Sequence, residues 1–189
     1  MAFLRRVLVI AAALFMVASL GTAAQAADGT ITYVKRTGGD VSAAAQTYNL
    51  RNINTGRCLA IRGAANYNGS PAFQHDCGFA DQAWTIRHLG SDRWEVRNDY
   101  TGRCLSIRSA DNYNGSPAFQ LDCVLYADQQ WFIVDAHDSV GYYLYSILIN
   151  NVTARCLVVP AAANYNGSPA FQHDCHPNYN DQHWKFVRL

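Results

Sequence analysis

The sequence predicts an all-β domain assembled from three copies of one unit, and three observations predict it. The nonapeptide NYNGSPAFQ occurs three times, beginning at Asn66, Asn112 and Asn164. Around each copy the same frame recurs: TGRC, TGRC and TARC upstream, HDC, LDC and HDC downstream, then DQAW, DQQW and DQHW. Between these motifs, β-branched and aromatic positions alternate with polar ones over short runs punctuated by Gly, Asn and Pro. Beyond the N-terminal leader, no stretch has helical periodicity of useful length. A repeated unit of this size cannot bury its apolar face alone, so the three copies must close one core together.

Composition sets the outer limits. The chain has 189 residues, 50% hydrophobic against 15% charged, with a formal net charge of +1. That is the balance of a globular chain rather than a disordered one. Setting aside Arg5 and Arg6 of the leader, 13 basic side chains face 14 acidic ones. A nucleic acid or an anionic membrane surface calls for clustered Lys and Arg, and no such run occurs, so neither partner is expected.

At the N-terminus, Arg5 and Arg6 precede an apolar stretch from Val7 that runs, with small residues, to Leu20, and Ala24-Gln25-Ala26 supplies a small-x-small cleavage site. The run of about 14 residues is shorter than the ~20 a membrane anchor needs. Residues 1–26 therefore read as a removable secretory signal of bacterial appearance, and the mature protein is expected outside the cell. Residues 27–46, with Gly38-Gly39 and Ala43 to Ala45, read as a mobile lead-in or linker. Residues 47–189 form the repeat domain, in units of about 47–92, 93–139 and 140–189.

Within the units, TYNLRNI (Thr47 to Ile53), RWEVRN (Arg93 to Asn98) and WKFVRL (Trp184 to Leu189) alternate as strands. Each unit holds two cysteines 19 positions apart. Export to an oxidising compartment lets them pair. Six cysteines permit fifteen connectivities, but three copies of one spacing make Cys58–Cys77, Cys104–Cys123 and Cys156–Cys175 the simplest assignment. Each such loop closure stabilises its unit by ~3 kcal/mol on the chain-entropy model. The competing use is a metal site in the third unit, from His173, Cys175, His176 and His183. Only that unit has the cluster, and a bridged cysteine is no thiolate ligand, so neither metal nor other cofactor is expected. Trp84, Trp131 and Trp184, one per unit, suit a shared core better than three exposed platforms. Gln82, Gln129 and Gln182 can tie local backbone with their amides, and Trp94, without a counterpart, reads as packing.

Three tandem units with paired cysteines, each ending in Gln-x-Trp (Gln82-Ala83-Trp84, Gln129-Gln130-Trp131, Gln182-His183-Trp184), resemble the ricin B-chain-type, or R-type, lectins, also called family 13 carbohydrate-binding modules. The resemblance covers about residues 47–189. It implies a β-trefoil, with four strands per repeat building a barrel and a cap of hairpins, and a shallow sugar pocket in each repeat. The family pattern places an Asp two residues after the first Cys, where this chain has Ala60, Ser106 and Val158. It places an aromatic residue two before the second Cys, where this chain has His75, Leu121 and His173. Asp81, Asp128 and Asp181 replace the family's Asn before Gln-x-Trp and are candidates for the missing carboxylate. The Asn-Tyr-Asn-Gly stretch is also similar to that of actinohivin-like lectins, three-repeat trefoils that bind mannose-rich glycans.

A carboxylate, an aromatic or imidazole face and an amide are the groups that hold a sugar's hydroxyls and its apolar C–H side. The candidate carbohydrate-binding residues are therefore Tyr67, Asn68, His75, Asp81 and Gln82 in the first unit, Tyr113, Asn114, Asp128 and Gln129 in the second, and Tyr165, Asn166, His173, Asp181 and Gln182 in the third. For NYNG the alternative is structural: Asn-Gly supplies a turn and Tyr covers the core edge. If His75 and His173 line working pockets, binding changes between roughly pH 5.5 and 7.5.

No enzyme constellation is present. His137-Asp138-Ser139 are merely adjacent, there is no Gly-x-Ser-x-Gly elbow, and Lys35, Arg36, Gly38 and Gly39 make no phosphate loop. Two readings follow. One is a secreted, non-catalytic, monomeric glycan-binding protein with up to three weak sites acting additively. The other is an adaptor or inhibitor that grips another secreted protein, its sugar pockets degenerated.

Overall fold

A computed structural model of the chain describes residues 30–38, 45–62, 65–160 and 163–189. The expected signal, residues 1–26, lies outside the described residues. Strands form where the alternation predicted them. The first unit supplies β2 (Gln46–Asn52), β3 (Cys58–Ile61), β4 (Ala72–His75) and β5 (Ala83–Gly90). The second supplies β6 (Arg93–Asn98), β7 (Cys104–Ile107), β8 (Ala118–Leu121) and β9 (Gln130–His137). The third supplies β10 (Tyr143–Asn150), β11 (Cys156–Val158), the short β12 (Ser168–Pro169), β13 (Phe171–His173) and β14 (Trp184–Arg188).

Six of these strands close a ring of antiparallel pairs: β2 with β14, β14 with β10, β10 with β9, β9 with β6, β6 with β5, and β5 back to β2. Closure removes the open edges that a flat sheet of this size would expose. The hairpins β3–β4, β7–β8 and β11–β13 cap one end of this barrel. This is the β-trefoil, with one disulfide in each unit joining Cys58 to Cys77, Cys104 to Cys123 and Cys156 to Cys175.

The core sits where barrel meets cap. Trp84, Trp131 and Trp184 are fully buried. Each indole N–H donates to a cap carbonyl of its own unit, Leu59 at 2.9 Å, Leu105 at 3.1 Å and Leu157 at 3.0 Å. A buried indole needs such an acceptor, and here the bond also fixes each hairpin over the barrel. Trp94 is buried as packing, against His88, with its N–H toward the Arg36 carbonyl.

The described part of the lead-in, residues 30–38, differs from expectation. Thr32–Lys35 form a strand, β1, paired antiparallel with His137 to Val134 of β9. Arg36 then makes a two-pronged ion pair with Asp135, both contacts at 2.7 Å, and both side chains are largely buried. The β-branched run Thr32-Tyr33-Val34 suits a strand, and β9 offers a partner edge beyond its short pairing with β6.

The units are locked to one another in a cycle. Asn98 of the second unit donates to the Asp81 carbonyl of the first, Asn150 of the third to Asp128 of the second, and Asn52 of the first to Asp181 of the third. Gln120, Gln172 and Gln74, all buried, reach the backbone of the NYNG loop in the preceding unit. Their amide oxygens accept from Thr101, Thr153 and Thr55 at 2.6 Å. A buried amide whose donors and acceptors are matched fixes register strongly, because misplacing it leaves polar groups unpaired in the interior.

Candidate functional site

Each NYNG loop turns at its glycine, with Gly69, Gly115 and Gly167 at φ near +90°, a conformation that disfavours side chains. The turn aims both asparagines at the next unit. Asn68 accepts from the Arg103 guanidinium at 2.9 Å and from the Asp122 backbone N–H at 2.8 Å, and donates to the Asp122 carboxylate at 2.8 Å. Asn66 accepts from the same guanidinium. Asn112 and Asn114 hold Arg155 and Asp174 in the same manner, and Asn164 and Asn166 hold Arg57 and Asp76. The bonds from Asn114, aided by Arg155, hold the Asp174 carboxyl below its ordinary range. The likeness of the three NYNGSPAFQ segments thus has a structural cause: the asparagines, glycine and glutamine all serve the contact between units.

The tyrosines between those asparagines behave differently. Tyr67, Tyr113 and Tyr165 are more than half exposed, so they do not cover the core edge. The glutamines of Gln-x-Trp tie local backbone with their amides, the first of the two roles the sequence suggests for them. Gln82, Gln129 and Gln182 are buried. Gln82 accepts from the backbone N–H groups of Gly78 and Phe79 and donates to the Asp76 carbonyl. Gln129 and Gln182 bind their own loops in the same way. Their amides pin the loop after the second cysteine.

In the first unit, His75 and Asp81 share one cavity of about 340 Å³ with Arg62, Phe73, Phe79, Asn166 and Gly167. The His75 ring meets Phe79 edge-on at 4.9 Å and Phe73 at 6.3 Å. Ala60, at the family's Asp position, is buried in the first strand of its cap hairpin, as are Ser106 and Val158 in theirs. The carboxylate in the cavity therefore comes from Asp81, in the short 3₁₀ turn Ala80–Gln82. Asn166 comes from the third unit, so the site spans a unit boundary rather than lying within one repeat. An adjoining cavity of about 220 Å³ shares Arg62, Phe73 and Gly167 and adds Tyr67, Ser70 and Pro169. The Tyr67 and His75 predictions thus fall in neighbouring cavities.

The other two units vary this plan. In the third, His173 and Asp181 stand at the equivalent positions. Burial pushes the Asp181 and Asp128 carboxyls up, with the Ser109 backbone N–H opposing at Asp128. In the second unit Leu121 replaces the imidazole. Phe79, Tyr126 and Tyr179, all exposed, each stand at the residue before the 3₁₀ turn. Sequence reasoning missed them, although an aromatic residue precedes each Asp by two positions. The lengthening of the preceding loop from unit to unit hid that register.

The histidines and cysteine weighed as metal ligands in the third unit have other partners. Cys175 is in its disulfide, His176 stacks on Tyr179, and His183 stacks on Tyr145 at 3.7 Å. Among the described residues no helix is long and apolar enough to cross a membrane.

Comparison with known proteins agrees with this architecture. The designed threefold-symmetric protein ThreeFoil superposes with a TM-score of 0.67 at 23% identity, over 76% of this chain and 99% of that one. An exo-β-1,3-galactanase from Clostridium thermocellum gives 0.66 at 21% identity, over 76% of this chain but only 30% of the enzyme. The Rhizoctonia solani agglutinin gives 0.62 at 18% identity, over 79% of this chain and 99% of that one. At these identities the likeness concerns the fold. No curated protein sequence matches the chain. A family model described as ricin-type β-trefoil lectin domain-like matches residues 36–121 and 80–147, more than half the chain. With its three interlocked units, the chain belongs to the ricin-type β-trefoil lectin domain-like family.

Proposed function

We propose that the protein is a secreted, non-catalytic and monomeric glycan-binding protein with up to three repeat-related sites. The observation that carries this reading is the cavity of the first unit, where an exposed aromatic ring, an imidazole, a carboxylate and an amide converge. A sugar offers an apolar C–H face for Phe79 or His75, and neighbouring hydroxyls donate to Asp81. Membership of a lectin-like family and the agglutinin among its structural neighbours support the same reading. The galactanase carries a comparable module as a minor part of its length, which fits a role in holding saccharide rather than cleaving it. Three modest sites on one rigid body gain through effective concentration on a repetitive glycan.

A glycan array covering plant, fungal and bacterial saccharides, followed by calorimetry on the mature protein, tests this. Phe79→Ala is expected to weaken binding about tenfold, the order of one lost aromatic contact. Its melting temperature should stay unchanged, because the ring is 55% exposed. Silence across the array overturns the reading.

A second reading, an adaptor for another secreted protein, is favoured by the second unit. There Leu121 stands where the others have histidine, and Val124, Leu125 and Tyr126 are exposed in sequence. That surface suits an apolar protein partner better than a sugar. The adaptor reading predicts one stoichiometric partner in culture fluid whose capture is insensitive to added saccharides.

A further inference from the structure

The three units carry different charge at equivalent places. After the first hairpin strand they present Arg62, Arg108 and Pro160. Arg108 already has a partner, since its guanidinium lies 3.8 Å from the Asp111 carboxylate. The residue of the first unit that corresponds to Asp111 is Ala65, and Arg62 forms no ion pair among the described residues. The third unit has no cation there at all.

Arg62 also occupies a particular place. It lines both cavities of the first unit, at their shared border with Phe73 and Gly167. In the larger cavity the Asp81 carboxylate accompanies it. In the smaller one Arg62 is the only charged side chain among the described lining residues, beside Tyr67, Ser70 and Pro169. A guanidinium presents a planar fork of donors that fits two oxygens of a carboxylate or sulfate, and such charge-assisted bonds are stronger than those to a neutral hydroxyl.

Resting on the glycan-binding reading above, we propose that the first unit, alone of the three, recognises an acidic saccharide. A neutral sugar residue sits in the His75–Asp81 cavity. The adjoining residue, bearing a carboxylate or a sulfate, sits in the Tyr67 cavity with its anionic group on Arg62. Specificity for charge then resides in one unit, while the other two contribute contacts to neutral saccharide.

The test uses the mature protein and galactose-, glucose- and mannose-based disaccharides, each in neutral, uronate and sulfated form, with affinities from calorimetry. For at least one series the acidic form is expected to bind tenfold or more tightly than its neutral parent, and the uronate and sulfate arms identify which anion serves. Raising salt from 50 to 500 mM should shrink that ratio, since the guanidinium is exposed to solvent. Arg62→Met should bring the ratio to about one. Ala65→Asp, which gives Arg62 the partner that Arg108 has, should do the same without removing the cation. Equal binding of acidic and neutral forms by the wild-type protein overturns this proposal and leaves glycan binding standing. So does an acid preference that survives both substitutions. Binding of no saccharide in any form overturns both.

Discussion

Replacing Asn68 by Ala separates the two roles that an NYNG asparagine could have. The substitution removes three bonds, from the Arg103 guanidinium at 2.9 Å, from the Asp122 backbone at 2.8 Å and to the Asp122 carboxylate at 2.8 Å. It also leaves the Arg103–Asp122 pair, at 3.1 Å, without its bridging amide. A typical intramolecular hydrogen bond contributes about 0.5–1.5 kcal/mol net, and solvent exposure holds these toward the lower end, so the loss should be about 2–3 kcal/mol. For a domain of this size each kcal/mol corresponds to roughly 2–4 °C, which predicts a fall of about 5–10 °C in melting temperature. Calorimetric melts under non-reducing conditions measure this, with Tyr67→Ala as the control. Tyr67 is 57% exposed and should leave the melt unchanged. If Asn68→Ala melts with the wild type yet loses glycan affinity, the asparagine serves the ligand and the inter-unit clamp is refuted.

Two further outcomes follow from buried and strained positions. Burial lowers the His183 pKa below its ordinary value of 6.5, only partly opposed by the Pro177 carbonyl. The unfolded chain therefore takes up a proton as the pH falls through about 6.5 while the folded one resists, so stability is present above that pH and is lost on acidification until the folded pKa is passed. Melts of His183→Phe, which keeps a ring against Tyr145, should show a smaller loss over that window, and an equal loss would remove His183 as the cause. Ala154 has φ of +54° where the first two units have Gly56 and Gly102. Ala154→Gly should raise stability by about 0.5–1 kcal/mol, as relief of left-handed strain exceeds the entropic cost of glycine. A lower melting temperature would contradict that balance.

The parts of the architecture that recur at a fixed distance along the chain were legible in its residues. Cys58 and Cys77, the three tryptophans and the alternation in Arg93 to Asn98 each reveal themselves within one unit. What crosses from unit to unit was not. Asn68 meets Arg103 and Asp122, 35 and 54 positions away, and nothing local names those partners. For the same reason the three NYNG segments looked like ligand surface when most of their polar atoms serve neighbouring units. The site was half visible. His75, Asp81 and Asn166 were all among the candidates, but Asn166 was assigned to its own third unit and not to the first unit's cavity, and Phe79 was not among them. Thr32 to Lys35 had the composition of a strand, outweighed in reading by the glycines and alanines that follow.

The cycle of contacts between units also sets an order in time. The first unit's Asn52, Arg57 and Gln74 find their partners at Asp181, Asn164 and Ala163, which lie 129, 107 and 89 positions later. A chain made N-terminus first holds these donors in water until the third unit has arrived. Contacts so distant along the chain slow the search for the native state. The barrel therefore closes only once all three units have been made, rather than unit by unit as each appears.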